Sequence, residues 1–135
     1  MIEPLSERAA ERSTTVLLVE DEPLVRLDLE DTLRDAGYAV VACATAEEGR
    51  DVLRSGLPVD AIVTDVRTPG AIDGLELARE ARSRAATLPI VVVSGHLSSA
   101  IAEAASADAF FRKPVSSGTI RAALERLLEL DGSGT

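Results

Sequence analysis

The feature that most restricts how this chain can fold is a regular change of hydrophobic period. Short β-branched runs occur at Val16–Glu20, Ala39–Cys43, Val59–Asp65, Pro89–Ser94 and Ala109–Lys113, and a stretch with helical spacing follows each. The runs are near-continuously apolar, the pattern of strands buried on both faces. Local signals mark the helices. Pro23 suits a first turn, Val25, Leu29 and Leu33 fall four apart on one face, and Gly37 and Gly56 supply stops. Thr45 to Glu48 and Asp73 to Glu76 have capping-box spacing. A last helix, Ser117 to Leu130, carries Ile120, Leu124, Leu127 and Leu128 inward.

Five strands alternating with five helices predict an α/β chain, a three-layer sandwich around a parallel five-stranded sheet. Right-handed crossovers leave few topologies. The flavodoxin-like (βα)5 order 2-1-3-4-5 fits best, with ligands at the carboxyl ends of the strands beside the switch point between strands 1 and 3. A chain of 135 residues has room for one such domain. We place it at residues 15–130, between a flexible arm (1–14) and a flexible tail (131–135). Hydrophobic residues make up 46% and aromatics only 2%, so the core must be built from Val, Leu, Ile and Ala.

The net charge of −9 argues against a nucleic-acid or anionic-membrane partner and leaves room for a basic protein or a divalent metal. Cys43, the one cysteine, sits in "YAVVACA" and reads as a small core residue. No run approaches the ~18 apolar residues of a membrane span, and the opening residues lack a secretory h-region. A cytoplasmic protein is expected.

The proposed strand order gathers chemistry at one edge. Strand 1 runs out into Glu20, Asp21 and Glu22, and strand 3 ends in Asp65. Either cluster alone reads as solvated acids at a loop start. On neighbouring strands they converge, and carboxylates so close need a counter-charge. A hard divalent cation, Mg²⁺ above all, meets that need. Strand 4 ends in Ser94-Gly95-His96. Strand 5 ends in Arg112-Lys113-Pro114, and Lys113 is the only lysine among fourteen basic residues. Arg serves everywhere else, so a compact ammonium here is a specific choice. Pro114 is a candidate for a cis peptide that aims the strand end. A central Asp, a metal pocket, a hydroxyl and a lysine suggest phosphoryl chemistry on the Asp itself. No Gly-rich phosphate loop is present.

At these residues the chain strongly resembles the receiver domain of two-component response regulators. The matching pieces are "VLLVEDEP", "AIVTDVRTPGAIDGLEL", "PIVVVSGH" and "AFFRKP". The resemblance implies that Asp65 is the phosphoacceptor and Asp21 a direct Mg²⁺ ligand. It also implies that Glu20 acts largely through water and that the Arg67 backbone carbonyl is a further ligand. Ser94 becomes the switch hydroxyl, Lys113 the charge partner of the phosphoryl group, and Phe110 an aromatic that swings inward with Ser94. Phe111 is expected on the opposite face, in the core. Arg67 and His96 fall where side chains tune dephosphorylation.

The implied donor is a histidine kinase or histidine phosphotransfer protein, and the output a switched surface on the fourth helix, fifth strand and fifth helix. Two spacings depart from the pattern. The loop after Asp65 is one residue longer, and the 19 positions from Ser94 to Lys113 are short by about one helical turn, which argues for a monomer or weak dimer. The chain reads as a stand-alone receiver; the alternatives are a fragment of a larger regulator or hybrid kinase, a receiver that works without phosphorylation, and a Mg²⁺-dependent phosphohydrolase. Beyond its own phosphorylation and dephosphorylation, no enzymatic turnover is expected.

Overall fold

The computed structural model describes residues 13–95 and 107–132. Their elements are β1 (Thr15–Val19), α1 (Pro23–Asp35), β2 (Ala39–Cys43), α2 (Ala46–Arg54), β3 (Ala61–Asp65), α3 (Gly74–Arg84), β4 (Ile90–Ser94), β5 (Ala109–Arg112) and α4 (Ser117–Gly132). The sheet is parallel throughout, in the expected order β2-β1-β3-β4-β5. The helical segment expected between β4 and β5 lies outside the described residues.

Alternate strand residues feed two cores, as the pleat dictates. Leu17, Val19, Ile62, Ile90 and Val92 meet Ala46 of α2 and Leu75, Leu77, Ala78 and Ala81 of α3. Val16, Leu18, Val63, Val91 and Val93 meet Leu29 and Leu33 of α1 and Ile120 and Leu124 of α4. Phe110 packs in the first layer and Phe111 in the second, the split expected of neighbours on a strand. Val25, expected on the inner face of α1, is 37% exposed instead. It sits in the first turn, where the helix leaves the sheet edge.

Helix ends follow local chemistry. Pro23 opens α1, and Gly37 and Gly56 adopt positive φ (98° and 87°) after α1 and α2. Asp73 and Glu76 form a complete capping box. At α2 the box is partial: Thr45 Oγ1 accepts from the Glu48 amide (3.1 Å), but Glu48 reaches the Thr45 hydroxyl rather than its amide. Strand β3 starts at Ala61 rather than Val59, because Asp60 bridges to Thr15, its amide donating to the Thr15 carbonyl and its carboxylate accepting from the Thr15 amide (both 2.8 Å). Helix α4 runs on to Gly132, past the expected end at Leu130. Among the described residues no helix is long and apolar enough to cross a membrane.

Candidate functional site

Each strand end delivers one group to the same rim. Glu20 follows β1 and stays in the sheet, its amide donating to the Cys43 carbonyl (3.0 Å), so its side chain turns inward and is only 2% exposed. Asp65 closes β3 and Ser94 closes β4, both buried. Lys113 follows β5 and extends the ladder by donating its amide to the Ser94 carbonyl (3.0 Å). The Lys113–Pro114 peptide is cis, as the Lys-Pro sequence suggested.

The lysine spans the acids. Its Nζ donates to Asp65 Oδ2 at 2.8 Å and to Glu20 Oε1 at 3.0 Å. Carboxylate oxygens of Glu20, Asp21 and Asp65 all lie within 4.8 Å of one another, and Asp21 is the most accessible of the three. Three carboxylates against one ammonium leave an excess of negative charge that a divalent cation would offset. All the donors are hard oxygens, so the set fits Mg²⁺. A cavity of about 230 Å³ opens on this cluster, lined by Asp21, Glu22, Asp65, Arg67, Ser94 and Lys113.

The titration of the pair follows from its surroundings. Burial, reinforced by the adjacent Asp65 carboxylate, pushes Glu20 up to about 7 against the pull of Lys113. Burial works against the Lys113 ammonium, but its bonds to Asp65 and Glu20 prevail and hold its pKa above the ordinary lysine value. The direct Glu20–Lys113 contact was not expected from the sequence, which gave Glu20 only a water-mediated role at the metal. His96 lies outside the described residues.

Two supporting residues escaped sequence reasoning. Thr64 is fully buried, and its hydroxyl donates to the Asp65 carbonyl at 2.8 Å; a lone hydroxyl in the apolar run "AIVTD" was its only signal. Arg26 donates from Nη1 to the Glu20 carbonyl at 2.9 Å, a contact across a turn that no spacing marks.

Residues 16–125 match the family model described as the response regulator receiver domain. The chain belongs to the response regulator receiver family. This receiver is 36% identical over 121 residues to the sensor kinase CckA of Brucella abortus, a match covering 87% of the chain and 13% of that protein. It is 36% identical over 126 residues to the response regulator MprA of Mycolicibacterium vanbaalenii, covering 88% of the chain and 54% of that protein. The receiver thus spans about half or less of the length of these curated relatives.

Among solved structures, a response regulator receiver protein from Sinorhizobium medicae superposes with a TM-score of 0.83 at 36% identity, covering 89% of this chain and 98% of that one. A CheY-like receiver domain from Methanospirillum hungatei gives 0.84 at 24% identity, covering 92% and 100%, a likeness of fold. As a receiver, the chain is a phosphoacceptor module of two-component signalling.

Proposed function

We propose that this receiver accepts a phosphoryl group on Asp65 from a cytoplasmic histidine kinase or histidine phosphotransfer protein, and thereby switches a protein-binding surface. The observation that carries the reading is the 2.8 Å contact from Lys113 Nζ to Asp65 Oδ2 at the floor of the acidic cavity, with Ser94 on its wall. An Asp65 carboxylate oxygen attacks phosphorus, the bond to the donor nitrogen breaks, and an aspartyl phosphate forms. Asp21 and Asp65, with Glu20 and the Arg67 carbonyl, would hold Mg²⁺, which offsets charge on the phosphoryl oxygens.

Lys113 already touches one oxygen of the Asp65 carboxylate, so its ammonium can pass to the phosphoryl group with a small movement. Ser94 supplies a hydroxyl donor on the adjacent strand end. Roughly two new negative charges at one point draw both groups toward Asp65 and bias β5 and the helix α4 that follows it. Arg67, exposed over the cavity, and His96 tune the lifetime of the phosphoryl group. Leu24 (80% exposed) and Leu27 (52%), on the helix that begins two residues after Asp21, offer the donor an apolar contact.

The test is direct. Mixing the protein with Mg²⁺ and a small acyl phosphate should add one phosphoryl mass, and Asp65→Asn should abolish the gain. Undiminished phosphorylation of that variant would show the acceptor lies elsewhere.

A further inference from the structure

The loop that follows Asp65 carries Arg67 and is held from the neighbouring helix. Its first residue, Val66, is fixed at both ends: the amide donates to Val93 (3.2 Å) and the carbonyl accepts from Gly74 (2.8 Å). The far end is fixed by the Asp73–Glu76 capping box. The middle is held by α2. Thr68 Oγ1 accepts from the Ala46 amide at 3.1 Å, and Glu47 Oε1 accepts from the Ala71 amide. Gly70, at φ +119°, passes so close that a Cβ there would run into the Glu47 carboxylate.

The helix supplying these anchors is itself rigidly seated. A Cβ on Gly49 would meet Val19 Cγ2 at 3.0 Å and Leu77 Cδ2 at 3.1 Å, so α2 lies hard against the sheet. Arg67 therefore stands between Val66, tied to β4 and α3, and Thr68, tied to α2. Releasing the bond to Ala71 leaves the Thr68 bond as the remaining anchor from α2 between Val66 and the α3 cap, so the segment that carries Arg67 loosens.

We propose that Glu47 is a positioning residue for the metal site: its carboxylate, gripping the Ala71 amide from the first turn of α2, fixes the 66–73 loop and with it the Arg67 carbonyl. The inference rests on the reading of the acidic cavity as a Mg²⁺ site. A loop already ordered loses less freedom when the cation binds, so preorganisation tightens affinity without touching the phosphoryl step.

Calorimetric titration of the protein with Mg²⁺ alone, without a phosphoryl donor, tests this. Glu47→Ala should weaken Mg²⁺ binding roughly tenfold and speed hydrogen exchange at the Ala71 amide. With acyl phosphate, it should raise the Mg²⁺ requirement while leaving the rate at saturating Mg²⁺ unchanged. Glu47→Gln keeps an oxygen acceptor while removing the charge, and should stay within about twofold of the parent. Gly70→Ala, which leaves the helix sequence intact, should reproduce Glu47→Ala and carries the test if that variant loses α2.

Full Mg²⁺ affinity in folded Glu47→Ala and Gly70→Ala would overturn the positioning role. So would Glu47→Gln falling as far as Glu47→Ala, since charge alone would then account for the loss. A parent protein that binds no Mg²⁺ would instead overturn the metal reading, and this proposal with it.

Discussion

Glu20 is a carboxyl whose pKa is pushed up to about 7 by burial and by the adjacent Asp65. In the unfolded chain it ionises near 4.5. Between those values the folded state binds more protons, so stability falls as pH rises through the window. Urea midpoints in EDTA should be lower at pH 8 than at pH 5.5 on this account, and Glu20→Gln should flatten the difference. Mg²⁺ favours the ionised carboxyl and should offset the decline. At this scale the sequence exposed the chemistry unevenly. Lys113 was legible because composition isolates it as the only lysine. Its grip on Glu20 was not, because those residues are 93 positions apart and only the folded strand ends bring them together. Cys43, buried and pushed up to about 11, is the inert core thiol its apolar neighbours suggested.

Helix α3 shows how an element can be set against the site by one missing atom. Gly74 is its first residue, and a Cβ there would fall 2.8 Å from Thr64 Oγ1 and against the Asp65 carbonyl. Gly74→Ala should therefore destabilise the fold by about 1–3 kcal/mol through overpacking, read as a lower urea midpoint, and should perturb the Thr64–Asp65 bond that orients the strand end. The elements themselves were readable because their signals are local: a proline, a glycine or a Ser/Thr/Asp with its Glu three residues on. Boundaries set by distant partners were not. The bridge from Asp60 to Thr15 delays β3, and the Glu47 and Thr68 anchors depend on α2 lying beside a loop more than twenty positions away. Neither leaves a trace in the periodicity.

Over the whole molecule, a Mg²⁺ ion held by the folded state alone would be a stability term. At a hundredfold excess over its Kd it should raise the unfolding free energy by about 2.7 kcal/mol. Thermal or urea unfolding with Mg²⁺ and then EDTA checks this, and Asp65→Asn should shrink the gain. The strand order was legible because right-handed crossovers and two-sided burial leave little choice; donor and target were not, because recognition lives on a surface whose residues obey no period. The sheet also has an asymmetry that matters for how a signal leaves it. Every residue of β3 and β4 is buried, whereas β5, an edge strand, has none buried. The chain's one lysine thus follows the one strand of the sheet that has no buried residue. An electrostatic pull on Lys113 at the acidic rim should therefore displace this exposed margin sooner than the buried middle strands.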